Sequence, residues 1–142
     1  MINDELSQKV IGLAYHIHNT MGFGFVEKVY ENCLAHDLRK NNISFEQQRA
    51  VNVYYDGECV GEYVADLIIV DTLLIELKSV HELIEKHEVQ LVNYLTATTM
   101  DVGLLLNFGP DGVEVRRKYR VYDPSRATHV HYETDGLTGS RE

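Results

Sequence analysis

The sequence predicts one α/β domain with a mixed β-sheet, its elements in the order α-α-β-β-β-α-β-β. Apolar residues recur at helical spacing through about residue 40 and again over 81–100. Elsewhere the pattern is β-branched or continuously apolar, and Asp56-Gly57 offers a hairpin turn. A chain of 142 residues, 44% hydrophobic and 25% charged, is enough for one real core.

Residues 4–20 carry Leu6, Val10, Leu13 and Ile17 at helical spacing, a stripe continued by Met21, and Asp4 is placed to cap the start. The glycines of "MGFGF" break this helix. A second helix is expected from about Val26 to Lys40, with Val29, Tyr30, Cys33, Leu34 and Leu38 on its apolar side, ended by "KNN". "ISFEQQRAVNVYY" then reads as a strand, and "ECVGEYVADLIIV" as its return, bent at Gly61. "LLIELKSV" follows a short turn. "HELIEKHEVQLVNYLTATTM" returns to helical spacing, with an expected apolar stripe through Leu83, Val89, Val92 and Leu95. "VGLLLNFG" reads as a buried strand and "GVEVRRKYRVY" as the last one. The domain is expected to span 1–122, and residues 123–142 read as a polar, poorly ordered tail.

Two cysteines are too few for a disulfide framework, and without a CxxC pair a structural zinc site is not expected. The polar opening "MINDELSQKV" has no signal-peptide pattern, and no apolar run is long enough to span a membrane. A soluble cytoplasmic protein is the expectation. The net charge of −9 argues against broad, nonspecific coating of nucleic acid. It leaves room for a local basic groove, and the densest basic run is Arg116 to Arg120. On a strand, Arg116, Lys118 and Arg120 would share one face, which most simply is solvated.

The charged residues Asp66, Glu76 and Lys78 stand inside the apolar stretch "DLIIVDTLLIELKSV". Buried charge is expensive when unpaired. Ala65, Leu67 and Ile69 should share one strand face, and Leu73, Ile75 and Leu77 one face of the next. Joining those faces pairs Ile69 with Leu73, and hence Asp66 with Glu76, at roughly 5 Å between Cβ atoms. Like charges so placed are destabilising, and Lys78 relieves only part of this. A divalent cation such as Mg²⁺ would remove the conflict, because it takes carboxylate oxygens and works with phosphate substrates. A structural Asp–Lys–Glu cluster is the alternative, and spacing alone does not separate the two.

Asp66, nine intervening residues and then Glu76-Leu77-Lys78 resemble the core signature of the PD-(D/E)XK nuclease superfamily, with Ala65 where that signature has a variable proline. "GFVEKVY" (Gly24 to Tyr30) resembles the defining motif of its GxxExxY family. "HEVQLVNYL" and "GLLLNFG" resemble the same family in the same order, so that the similarity runs from about residue 5 to 122. The resemblance implies a restriction-endonuclease-like core and a site for Mg²⁺ or Mn²⁺ held by Asp66, Glu76 and the Leu77 carbonyl. It implies that Lys78 stabilises developing charge and that Glu27 reaches the site from the second helix. Gln90 would orient water or phosphate. Tyr30, His87 and Tyr94 would support the site or bind substrate. Glu27 in a first helical turn is also explained by the macrodipole, and Tyr30 by a core position. His87 could equally lie on the surface. His18 matches a family histidine of unassigned role, and Asn107 reads as a strand-end residue.

The expected function is metal-dependent hydrolysis of phosphodiester bonds in DNA or RNA. The alternatives are a non-catalytic nucleic-acid- or protein-binding module that keeps the fold, and a small homo-oligomeric scaffold. The intact Asp66, Glu76, Lys78 set favours catalysis. No appended DNA-binding domain is expected, so specificity would come from substrate shape or a partner. A homodimer would match the two strands of a duplex.

Overall fold

Helix α1 (Asp4–Met21) and helix α2 (Glu27–Lys40) form where the apolar stripes place them. Here a computed structural model describes residues 4–120 and 130–134. The cap expected of Asp4 concerns a side chain outside the described set. Val10, Ala14 and Ile17 of α1 pack with Tyr30, Leu34 and Leu38 of α2. Strands β1 (Phe45–Tyr55) and β2 (Glu58–Ile69) form the hairpin, and β3 (Leu73–Lys78) follows. The Asp56-Gly57 turn has φ of 51° and 81°, the pair of positive values that a two-residue hairpin of the favoured hand needs. Val60 is an extra residue beside Gly61, because the register shifts between Val53↔Gly61 and Tyr54↔Cys59.

Helix α3 (Glu85–Thr98) starts four residues later than the helical spacing from His81 implies. It crosses over to β4 (Val102–Phe108), which lies parallel to β3, and β5 (Val113–Tyr119) returns antiparallel. Of the segment read as a tail, residues 130–134 form a further strand, β6 (Val130–Thr134), antiparallel to β1. Residues 1–3 and 121–122 of the expected domain, and 123–129 and 135–142 of the expected tail, lie outside the described residues. The sheet runs β5-β4-β3-β2-β1-β6 and is mixed, as the element order requires.

The core has two sides. Leu67, Ile69, Leu73, Ile75, Leu77, Leu104, Leu106 and Phe108 face α1 and α2. Ile68, Leu74 and Leu105 face Leu91 and Leu95 of α3. Central strands covered on both faces read as continuous apolar runs, which explains "LLI" and "VGLLL". The α3 stripe differs from the expected one: Leu91 and Leu95 are buried, while Val89 is half exposed. Gly103 sets how close α3 comes, since a Cβ there would lie 3.0 Å and 3.1 Å from the Leu91 and Leu95 side chains.

The basic run of β5 and the residue after it is partly solvated, as expected, but Arg116, Lys118 and Arg120 are ion-paired on the fold. Lys118 Nζ lies 2.5 Å and Arg116 Nε 3.6 Å from the Glu88 carboxylate on α3, and Arg120 lies 2.8 Å from Asp101. Its charge is spent within the fold, mostly on fastening α3 to the sheet.

Candidate active site at the β2–β3 junction

The β2–β3 register is Ile69↔Leu73, Ile68↔Leu74 and Leu67↔Ile75, and the ladder ends there, one residue short of Asp66 and Glu76. That is the expected register. The expected alternation, however, breaks at Asp66. Ala65 packs with Ile68 and Leu74 on the α3 side, not with Leu67 and Ile69. The cause lies on β1. Gln47↔Leu67 and Arg49↔Ala65 pair, Gln48 and Asp66 between them do not, and Gln48 takes φ of 56°. This local break in the ladder frees the Asp66 peptide and side chain for other partners.

Each acid then caps the backbone near the other. The Asp66 N–H donates to Glu76 Oε2 at 3.2 Å, and the Leu77 N–H donates to Asp66 Oδ2 at 2.9 Å. Tyr63, three residues before Asp66, donates its hydroxyl to Glu76 Oε2 at 2.5 Å. Its ring stacks on Tyr94 of α3, with centroids 3.5 Å apart. Glu76 thus lies half-buried against Tyr63, which Tyr94 backs. Burial first, and then the Asp66 charge, pushes its carboxyl up to about 8, although Tyr63, the Asp66 N–H and Lys78 all pull the other way. The same surroundings raise the Tyr63 hydroxyl far above its ordinary value.

Asp66 opens to the other side. It lines a cleft with Val26, Glu27, Lys28, Glu31, Gln48 and Ser79, bounded by the start of α2. Its carboxyl is also raised, by desolvation and by the charges of Glu31 and Glu27, against the Leu77 N–H. Glu31 is only 4% exposed. Lys28 Nζ lies 3.1 Å from it, and Gln47 and Gln48 donate to it at 2.6 Å and 2.8 Å. Gln48 also reaches Asp66 Oδ1 at 3.4 Å, so one amide bridges the two acids.

Lys78 is half-buried at the end of β3. Desolvation first and then the Lys78 charge lower the His87 imidazole, and Lys78 also pulls the Glu76 carboxyl down. His87 Nδ1 accepts the Ile84 N–H at 3.2 Å and so closes the first turn of α3. Gln90 is half-buried one turn before Tyr94. The structure thus brings Asp66, Glu76, Lys78 and Tyr94 to one junction, with Glu27 on the cleft wall.

Tyr30 sits elsewhere. It is fully buried, stacks on Phe108 at 4.4 Å, and donates its hydroxyl to the Gly22 carbonyl at 2.5 Å. Asn107 is buried and bonds both Val80 backbone groups and Glu114, tying down the chain after β3. His18 Nε2 meets the Gly109 carbonyl at 2.7 Å, and since a carbonyl only accepts, that nitrogen carries the proton.

Sequence reasoning missed Glu31 and Tyr63. Glu31 lies one helical turn after Glu27, a spacing that could have shown it. A lone aromatic in a strand gave no such signal for Tyr63.

Among the described residues, no three His, Cys, Asp or Glu side chains form a group that could hold a metal by themselves. The donor chemistry still fits a divalent cation. Two carboxylates share one strand junction, each held above its ordinary range by burial and by neighbouring acids. Mg²⁺ often uses one or two protein carboxylates and takes its remaining oxygens from water and phosphate.

A mixed sheet with helices on both faces carries Asp66, Glu76 and Lys78 on its two adjacent strands β2 and β3. The chain belongs to the PD-(D/E)XK nuclease superfamily: the family profile of that description matches residues 4–118. Among solved structures, the chain is similar to the crystal structure of SSO0001, with a TM-score of 0.55 and 20% identity. That match covers 70% of this chain and spans about half, 52%, of that protein. At that identity the likeness shows the fold alone. No curated protein matches the sequence. No helix among the described residues is long and apolar enough to cross a membrane.

Proposed function

We propose that this chain is a metal-dependent nuclease of the GxxExxY kind, hydrolysing phosphodiester bonds in DNA or RNA. The carrying observation is the acid junction itself. Glu76 is held half-buried beside a second carboxylate; desolvation and that charge push its carboxyl up to about 8, and shifts of this kind cluster at sites of chemistry. Asp66, Glu76 and the Leu77 carbonyl would hold Mg²⁺ or Mn²⁺. When bound, such an ion supplies Lewis-acid polarisation of a phosphoryl oxygen and an acidified water.

The chain's own groups have separable tasks. The Leu77 N–H holds Asp66 in place, while Tyr63 and the Asp66 N–H hold Glu76. Lys78 stabilises negative charge developing on the phosphate. Tyr94 backs Tyr63. Gln90 and His87 would orient water or phosphate from α3, and Glu27 would add charge at the cleft wall.

A second reading has one observation in its favour. Glu76 Oε2 already accepts two hydrogen bonds, so the junction is satisfied as it stands. A nucleic-acid- or protein-binding module that keeps the nuclease fold would look the same.

One experiment separates them. Purified protein is incubated with single-stranded DNA, duplex, flap, junction and RNA substrates in Mg²⁺, Mn²⁺ and chelator, beside Asp66→Asn and Lys78→Ala. Metal-dependent cleavage of at least one substrate is expected, lost in both variants. Mn²⁺ should raise the Tm of the wild type and of Lys78→Ala but far less that of Asp66→Asn, because only the last loses ligand charge. Absence of both a thermal shift and cleavage would establish the binding module instead.

A further inference from the structure

The chain between α1 and α2 puts aromatic surface beside the cleft. Phe23 and Phe25 are 44% and 45% exposed, and Val26, which lines the cleft, is 69% exposed. Flanking glycines Gly22 and Gly24 have φ of 75° and 119°, so the backbone takes a path that other residues rarely follow. The segment is nonetheless pinned. Tyr30 Oη donates to the Gly22 carbonyl at 2.5 Å and accepts the Phe25 N–H at 3.3 Å. Ser79, the residue after Lys78, donates its hydroxyl to the Phe25 carbonyl at 2.7 Å. Phe25 meets the Tyr30 ring edge-on, and Phe23 meets His81 edge-on. Two half-exposed aromatic rings are therefore held on a fixed backbone, tied to the strand that carries Glu76 and Lys78.

The part of each ring left exposed offers an apolar, planar surface to a partner. The charge around them limits which one. The cleft wall is acidic through Glu27, Glu31 and Asp66, and the densest basic run is ion-paired to Glu88, Glu114 and Asp101 on the fold itself. A duplex offers phosphates outward and hides its base faces, so it matches neither feature. An unpaired strand offers bare base faces beside a scissile phosphate.

We infer that Phe23 and Phe25 form a stacking platform for unpaired nucleobases, making the substrate a single-stranded segment of DNA or RNA. This rests on the nuclease reading of the neighbouring cleft. Each stacked base adds affinity independently of sequence, because every base has a π-face.

The test is binding of the full chain to labelled oligonucleotides in Ca²⁺ and in chelator, where binding is read without relying on turnover. The probes are single-stranded DNA, the same sequence as RNA, its blunt duplex, and an abasic strand of equal length. The single strands should bind roughly tenfold or more tighter than the abasic strand. Phe23→Ala and Phe25→Ala should each remove most of that difference, and the DNA and RNA arms show which sugar is preferred. Because Phe25 also touches Tyr30, Phe25→Leu tests the same point with packing kept, and Phe25→Tyr should restore binding. Equal affinity for abasic and normal strands, or variants that bind like the wild type, would overturn the platform. So would light scattering that shows the two rings buried in a dimer that Phe23→Ala dissociates. Cleavage that persists unchanged in the phenylalanine variants overturns the platform and leaves the nuclease standing. Base-dependent binding without any cleavage does the reverse.

Discussion

Glu76 concentrates the chemistry of the site in one carboxyl. Its folded value near 8 lies above its ordinary 4.5. Between those limits the folded protein holds a proton that the unfolded chain has released. Metal-free stability should therefore fall as pH rises through the window. Asp66 is shifted in the same direction and adds to the fall. His87 is lowered and works in the opposite sense around its ordinary 6.5, so the clean reading lies above pH 7. Denaturant unfolding at pH 7, 7.5 and 8 should show a continuing loss, part of a total on the order of a few kcal/mol over the whole window. Glu76→Gln should flatten it, since an amide oxygen still accepts from Tyr63 and the Asp66 N–H but does not titrate. A wild-type curve that is flat from pH 7 to 8 would mean that Glu76 is already ionised. With Mn²⁺ present the trend should reverse, because ligand carboxylates must be deprotonated. The closeness of Asp66 and Glu76 was legible because the β2–β3 register follows from apolar alternation and the turn. What alternation could not show was its own failure at Asp66, which depends on the backbone of Gln48 on another strand.

Among the elements, the β2–β3 turn carries visible strain. Val70 takes φ of 53° although it is β-branched and 48% exposed. That region costs a branched residue about 1–2 kcal/mol. Val70→Gly should recover part of it, about 1 kcal/mol net of the entropy gained by the unfolded chain, read as a higher denaturation midpoint at unchanged slope. No gain would mean that the turn relaxes in solution. At the far edge, β6 pairs with β1 from Val51↔Thr134 to Tyr55↔Val130. Deleting 124–142 should therefore lower Tm by a few degrees, about 1 kcal/mol for a domain of this size. An unchanged Tm would restore the dispensable tail that the polar sequence implies. The long periodic segments were readable as elements, and so was the central hairpin. The face of α3 was not: Leu91 and Val89 are both apolar, and only the close approach over Gly103 selects Leu91. The pinning of the loop before α2 by Tyr30 and Ser79 also needed tertiary structure, since Ser79 lies 54 residues from Phe25.

For the whole molecule, charge is the governing quantity. A net charge of −9 repels a polyanion, and Glu88, Glu114 and Asp101 occupy the one dense basic run. Among the described residues that line the cleft the one cation is Lys28, which already pairs with Glu31, and Lys78 ends the adjacent strand β3. Binding should therefore release few counterions. Each neutralised phosphate of a single strand contributes about −0.7 to the slope of log affinity against log salt, so two contacts predict a slope near −1.4. The measurement is oligonucleotide affinity from low to physiological salt at fixed Ca²⁺. Base stacking barely responds to salt, so affinity should survive where a basic groove would lose it. Lys78→Ala should make the slope shallower by about one contact, while Phe23→Ala should lower affinity and leave the slope alone. A slope of about −5 or steeper would instead show that a broad basic surface forms on binding. The ion pairs of β5 with α3 would then have to open, and Glu88→Gln should make binding tighter.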